Sequence, residues 1–365
     1  MMRPARLARR ILLGIALLIV GFVALTPTGR YLARAAWEEG KILARRKPIA
    51  ELVRSPDVDP RTRAKLRLVL DARAFAVDSV GLAAKRSFTT YSRLDHDTLV
   101  LVVSAAYRDA LRSYTWWFPI VGSVPYKGFF DPRDAFDEAR ALQRRGLDTY
   151  VRPASAFSTL GWFDDPLVST TLEEDSVGLA NTVIHELTHN TFYAPGQAVF
   201  NESFANFVGA HGATWFFRAR GDTARVRESE RDWALEKLMG GFWSSIYDAL
   251  DSAFAAHPDS KAARLAARDT IFARAREQFA TSIAPRLPGY RPGMPIHLQL
   301  DNASLLARRV YRTGLDQFDE VLAREGGNLP RAVRRVIALA KSRPDDPYGA
   351  MRDWLASAPA ETAAQ

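Results

Sequence analysis

Five residues, His185-Glu186-Leu187-Thr188-His189, constrain this chain more than any other feature. The residues just before them, 179–184, hold no proline and read as helix. On an α-helix, positions four apart leave the same face one turn along, so both imidazoles project from one side. Two neutral imidazoles make half of a tetrahedral zinc site, and Glu186 stands beside the first, placed to take a proton from water at the metal. A third ligand follows in Asn201-Glu202-Ser203-Phe204-Ala205. Between the two stretches, Tyr193-Ala194-Pro195-Gly196-Gln197 must turn, because Pro-Gly ends a helix. Asn201 is expected to cap a second helix that Glu202 opens, with Phe204, Phe207 and Val208 as its apolar run. That geometry folds Glu202 back onto the imidazoles. His185, His189 and Glu202 with an open fourth position suit hydrolytic rather than closed structural zinc. Asn206, one turn past Glu202, is expected to accept the free ring N–H of a ligating histidine. The chain has only 6 histidines. Two at ligand spacing around a glutamate, with N-E-x-x-A behind them, outweigh a pair of core histidines.

Residues 185–189 with 201–205 resemble the zinc motif of a gluzincin metallopeptidase. More narrowly, the chain is similar to a bacterial family of putative aminopeptidases over about residues 30–320. Further stretches carry that similarity: Trp117-Phe118-Pro119-Ile120-Val121-Gly122, Tyr126-Lys127-Gly128-Phe129-Phe130-Asp131 and Ser158-Thr159-Leu160-Gly161-Trp162-Phe163-Asp164-Asp165-Pro166. The connector between ligands is shorter than in the best-known gluzincins. The resemblance implies zinc-dependent peptide hydrolysis, with residues 158–163 as an edge strand that pairs with the substrate backbone. It favours an aminopeptidase over an endopeptidase. Such an enzyme must hold the substrate's free α-amine, and no G-x-M-E-N anchor occurs here. The acidic candidates are Asp164 and Asp165, then Glu173 and Glu174. Each also has an ordinary reading, the first pair as a turn before Pro166 and the second as a solvated helix start.

A tetrahedral oxyanion needs a donor, usually from downstream of the third ligand. Tyr311, Tyr290 and His297 are the candidates, and the choice stays open. His211 lies nine positions past Glu202, half a turn out of phase, and should face away from the metal. His96 and His257 sit in polar context and read as solvated.

At 365 residues and 47% hydrophobic, the chain can bury a sizeable core. Its net charge of +9 comes from scattered arginines without a basic–aromatic module, which argues against a nucleic-acid partner. The absence of cysteine excludes disulfides, thiol catalysis and cysteine metal sites. Arg3, Arg6, Arg9 and Arg10 precede an apolar run over residues 11–25, which Thr26-Pro27-Thr28-Gly29 ends. That order marks an export signal or an anchor, although the run is short for a span of about 20 residues. Only Arg30 and Arg34 follow closely, so the N-terminus should stay in the cytoplasm. The expectation is an exported protein, either anchored in the inner membrane facing the periplasm or periplasmic after cleavage.

Helices are expected over residues 31–46 and 60–82. A strand should begin at Thr98, followed by a hairpin over 116–130 with turns at Gly122-Ser123 and Lys127-Gly128. Asp131-Pro132 should start a helix that Gly146 ends, with further strands near 149–151 and 156–162. From 225 to 358 the pattern is mostly helical, with breaks near His257-Pro258-Asp259 and over 285–295, and the Ala-rich tail reads as frayed. The fold class is therefore α-rich α+β, a small mixed sheet against a zinc helix pair with helical layers on either side. The expected divisions are a signal or anchor segment (1–29), an N-terminal helical region (30–95), a metallopeptidase core (96–220) and a C-terminal helical region (221–365). The expected activity is peptide-bond hydrolysis with Zn²⁺ on His185, His189 and Glu202. Glu186 serves as general base and then as donor to the leaving amine. The expected partners are a peptide or protein substrate and, through the N-terminal segment, a membrane. The rival is a membrane-tethered binding or assembly protein that keeps the metal helix as scaffold. The intact Glu186 argues against it, since a structural site has no use for a base.

Overall fold

The computed structural model describes residues 4–95, 100–119, 122–154, 166–293 and 298–357. His96, residues 155–165 with Asp164 and Asp165, His297 and the Ala-rich tail lie outside the described residues. The apolar run forms α1 (Pro4–Leu25), which bends by 102° into α2 (Pro27–Ala44), with Thr26 as cap and Pro27 in the first turn. Among the described residues no single helix is long and apolar enough to cross a membrane, although the bent pair passes by length and composition. Then come β1 (Lys47–Pro48), α3 (Ile49–Arg54) and α4 (Pro60–Phe75), capped by Asp59 and continued by a π turn over Ala76–Val80.

The strands are β2 (Thr90–Ser92), β3 (Val100–Tyr107), β4 (Trp116–Phe118), β5 (Gly122–Val124) and β6 (Tyr126–Phe129). Next is α5 (Pro132–Arg144), where the Asp131 side chain accepts from the Arg133 N–H at 2.9 Å. It exits through Gly146 at φ +81, a conformation that costs glycine little. After it come β7 (Leu147–Ala154), β8 (Leu167–Val168), α6 (Ser169–Leu172), α7 (Ser176–Thr191) and α8 (Ala198–Ala219). The rest is helical: α9 (Thr223–Ala256), α10 (Lys261–Gln278), α11 (Asn302–Arg309), α12 (Leu315–Arg324), α13 (Leu329–Ser342) and α14 (Pro347–Ser357). Helix accounts for 67% of the molecule beside a few small sheets, an α-rich α+β fold.

The hairpin expected over 116–130 divides. Strands β4 and β5 pair with each other, but β6 joins the edge of β3, so Lys127 and Gly128 lie in a strand rather than a turn. A Cβ on Gly128 would stand 2.9 Å from Val100 Cγ1, so the missing side chain is what lets β6 lie close. The resulting sheet is antiparallel in the order β6-β3-β7, while the mixed pairing sits in a separate sheet, β1-β2-β8. One face of the β6-β3-β7 sheet sends Val103 and Ala105 into a cluster with Ala135, Ala139 and Leu142 of α5. Alternation puts Tyr126, Gly128, Val102, Ser104, Tyr150 and Arg152 on the other face, in cross-strand rows. The largest apolar cluster joins Leu66 and Val69 of α4, the inner faces of α7 and α8, and Phe318, Val336 and Met351 of the last helices. It holds α7 and α8 against each other and against the last helices.

Candidate metal centre

Helix α7 starts at Asp175, whose side chain accepts from the Gly178 N–H at 2.8 Å. Its inner stripe, Leu179, Ala180, Val183, Ile184 and Leu187, is fully buried. The opposite positions Thr182, His185, Glu186 and His189 follow the i, i+3, i+4, i+7 spacing of one helix face. The sequence expected this projection. The His185 Nε2 and His189 Nε2 atoms stand 3.3 Å apart. Glu202 Oε2 lies 3.4 Å from the first and 3.6 Å from the second. Donors held at about 2.0–2.1 Å on three corners of a tetrahedron lie about 3.3–3.4 Å from one another. Two nitrogens and one carboxylate oxygen in that triangle fit zinc in both geometry and donor type. The side chains keep 15, 22 and 27% exposure, so the group is open to solvent-borne substrate rather than sealed.

The turn that brings Glu202 back differs in one detail from expectation. Helix α8 begins at Ala198, before Asn201, so Asn201 is not its cap. Asn201 is buried in the first turn, where its Oδ1 accepts from the Ala194 N–H and its Nδ2 donates to the Ala194 carbonyl, both at 2.8 Å. The Pro195-Gly196 turn, with Gly196 at φ +77, is tight enough that the helix can start at once. This two-way staple satisfies the turn's backbone and fixes where Glu202 emerges. Glycines then allow α8 to close on α7. A Cβ on Gly212 would come within 2.8 Å of Ile184 Cγ2, and one on Gly209 within 3.0 Å of the Asn181 carbonyl and 3.2 Å of His185 Cβ.

Asn206 also departs from its expected role. Its amide nitrogen donates to the Tyr311 carbonyl at 3.0 Å and reaches Glu236 Oε2 at 3.4 Å. Ser203 Oγ donates to the Val310 carbonyl and accepts from the Thr313 N–H, each at 3.1 Å. Thus the α8 face that follows Glu202 grips residues 310–313 and holds the Tyr311 ring 6.4 Å from that of His185. Of the two expected oxyanion donors among the described residues, Tyr311 is the one brought to the cluster. Tyr290 packs on the separate apolar group around Phe242 and Trp243.

Charge in this space is uneven. Burial would raise the Glu202 carboxyl, but hydrogen bonds and charge from His185 and His189 outweigh it and hold Glu202 down to about 2. Burial pulls the His189 imidazole down, yet Glu202, then Glu186, leave it raised. Burial and the Glu202 charge push the Tyr311 phenol up to about 12, against the lowering effect of Arg152. Burial chiefly, then Glu202, raises Tyr126 as well. Both Tyr126 and Arg152 come from the same face of the β6-β3-β7 sheet. Neither was expected from the sequence. The only trace of them is the alternation of Tyr150 and Arg152 against Val151 in β7, which puts an arginine on a face that the element itself does not explain.

The family described as "Putative aminopeptidase" matches residues 30–347. The chain belongs to that family. Membership in the Putative aminopeptidase family suggests peptide hydrolysis. No curated protein and no solved structure matches the chain.

For a member of this family, the placement of the acidic candidates matters most. Glu173 is exposed. Glu174 is half-buried and accepts from Thr182 Oγ1 at 2.9 Å, on the metal-site face of α7 one turn before Glu186. Burial raises its carboxyl; Thr182 and Lys65 oppose this, while the charges of Asp175 and Glu186 add to it. Lys65 donates to the Glu174 backbone carbonyl at 2.7 Å and also to that of Leu172. His211 faces away from the cluster, as its helical phase requires, and its Nε2 lies 2.8 Å from Asp319 Oδ1. His257 is exposed at the end of α9.

Proposed function

We propose that this chain is a gluzincin-type zinc aminopeptidase. The triangle of His185, His189 and Glu202 atoms, with Glu186 on the same face of α7, carries the reading. Zinc held there would polarise the scissile carbonyl and acidify a water. Glu186 accepts the proton of the attacking water and returns it to the leaving nitrogen. Tyr311, whose phenol is pushed up by burial and the Glu202 charge, donates to the carbonyl oxygen as that atom gains charge. Glu174, whose carboxylate accepts from Thr182 one helical turn before the base, is the described carboxylate that would hold a substrate α-ammonium. Its neighbours Asp175 and Glu186 add negative charge that an ammonium would offset.

The substrate strand expected at 158–163 lies outside the described residues. Strand β7, which leads into that segment, is an edge of the β6-β3-β7 sheet among the described residues and brings Arg152 to the Tyr311 ring. An edge strand can pair with an extended peptide backbone. The test is metal analysis of the purified chain, followed by digestion of one peptide with a free and with an acetylated N-terminus. Bound zinc and residue-by-residue trimming of the free form alone is the expected result. Equal internal cleavage of both forms would make this an endopeptidase. Zinc without turnover of either form would leave the scaffold reading.

A further inference from the structure

Arg152 stands on β7 with its guanidinium carbon 5.8 Å from the centroid of the Tyr311 ring, and its N–H groups reach the Tyr311 hydroxyl. Its Nε is buried without a hydrogen-bond partner, and no carboxylate within ion-pair distance neutralises it among the described residues. Arg308 and Arg309 also leave a buried Nε without a partner, over the rings of Tyr150, Trp243 and Tyr247, whereas two other arginines are paired with carboxylates. Arg268 meets Asp148, and Arg264 meets Asp109 at 3.3 Å. A guanidinium left uncompensated beside a catalytic cleft is costly unless its charge is used there.

Hydrogen-bond chemistry says how it can be used. Guanidinium only donates, so the Tyr311 oxygen must act as acceptor toward Arg152. A phenol has one proton, and that proton must then point elsewhere. Its backbone is pinned by Asn206 and Ser203, and the ring lies beside His185, so the open direction is the cleft over the metal ligands. The uncompensated positive charge also polarises the O–H, which strengthens it as a donor without ionising it.

We infer that Arg152 is a positioning residue: it aims and polarises the Tyr311 hydroxyl so that this group meets the negative oxygen formed at the scissile carbonyl. The inference rests on the peptidase reading, and the experiment separates the two. Two ligands are measured by calorimetry on the zinc-loaded chain: a phosphinic pseudodipeptide amide, tetrahedral and anionic, and the matching dipeptide amide bound to the Glu186→Gln protein. Both ligands carry amide C-termini, so neither offers a carboxylate.

Arg152→Met should weaken the phosphinate about tenfold or more while leaving the dipeptide amide within about twofold, a loss confined to the transition-state mimic. In a Tyr311→Phe background the same step should shrink to about threefold or less, because the two residues act as a unit. Arg152→Lys, which keeps the charge and loses the fork, should fall between, and it serves if the Met variant melts early. In turnover, kcat should fall with KM unchanged. An unchanged phosphinate affinity in Arg152→Met overturns the inference. So does an undiminished loss in the Tyr311→Phe background, which would make Arg152 act by itself. A loss seen only with free-acid peptides would make Arg152 a receptor for a substrate carboxylate and also overturns it. A wild-type protein that binds neither ligand and trims no peptide brings down the peptidase reading, and this inference with it.

Discussion

Glu202 and Glu186 are sixteen positions apart in sequence, and the proposed mechanism gives them opposite tasks. Glu202 is kept ionised by the two imidazoles it faces, as a ligand must be. Glu186 is beside the triangle but not one of its corners. Glu202→Ala should therefore lose most of the bound zinc, measured by metal analysis after dialysis. Glu186→Gln should keep the zinc and lose about 10²–10⁴-fold in kcat, the usual share of a general base. Full turnover in Glu186→Gln would refute the assignment. Glu174 gives a second prediction. Glu174→Gln should raise KM for a free-amine peptide about ten- to a hundredfold, the worth of a charge-assisted hydrogen bond, while any slow cleavage of the acetylated peptide stays unchanged. The sign of its pH dependence follows from its raised pKa. Glu174 protonates sooner than an ordinary glutamate as pH falls, so KM for the free-amine peptide should climb on the acid side in wild type and stay flatter in Glu174→Gln.

Helices α7 and α8 were legible because their information is local: ligand spacing, a Pro-Gly turn and apolar stripes. Their closeness was not, since it depends on which residues meet across the pair. Gly209 and Gly212 look like weak points in a helix, and in the fold they are where α7 passes. Gly209→Val should push α8 away and weaken zinc binding as well as stability, because the added atoms would meet the Asn181 carbonyl and His185 Cβ; a competitive chelator titration reads the affinity. Asn201 and Asn206 misled for a related reason. An asparagine near a helix start reads as a cap, and one beside a ligand as its partner, but here tertiary contacts with Ala194 and Tyr311 claim their amides. Strand β6 also escaped, because pairing with β3 is settled by partners distant in sequence. Arg152 and Tyr126 reach the cleft through that same sheet.

A second link between elements lies behind the site. Asp319 on α12 meets His211 of α8 and accepts from Trp233 Nε1 and Lys237 Nζ of α9, at 2.8, 3.1 and 2.6 Å. Burial would raise its carboxyl, but those partners hold it below the ordinary value. A depressed folded pKa gives stability that is present above the unfolded pKa of about 3.9 and is lost as pH falls through the folded value. Asp319→Asn should therefore flatten the acid limb of the stability curve below about pH 4. Asp319→Ala, which strands three donors, should cost about 2–3 kcal/mol in denaturant melts at neutral pH.

For the whole molecule, the N-terminal helices divide the chain by what covers them. Ile11, Leu12, Leu13, Leu17 and Leu18 of α1 are each more than half exposed, and among the described residues no member of a buried apolar cluster comes from α1. Such a helix in water would be a liability, and a bilayer or a processing step would remove it. Helix α2 behaves differently. Tyr31 packs on Phe118 and Phe129 with ring centroids 5.4 and 5.9 Å apart, and Ile42 joins Val100, Val102 and Val168. It is part of the folded body although it follows the apolar run after a single residue. A chain beginning at Thr26 should therefore be water-soluble, melt cooperatively and bind zinc like the full chain. A chain beginning at Lys47 should lose stability, because it uncovers the aromatic face of β4 and β6 and the Ile42 contacts. In bacteria, the excess of arginine before the run predicts that a phosphatase fused to the C-terminus of the full chain is active and a cytoplasmic reporter is not. Sedimentation of the Thr26 chain with membranes would show that anchoring lies elsewhere, and a silent phosphatase fusion would place the catalytic body on the cytoplasmic side.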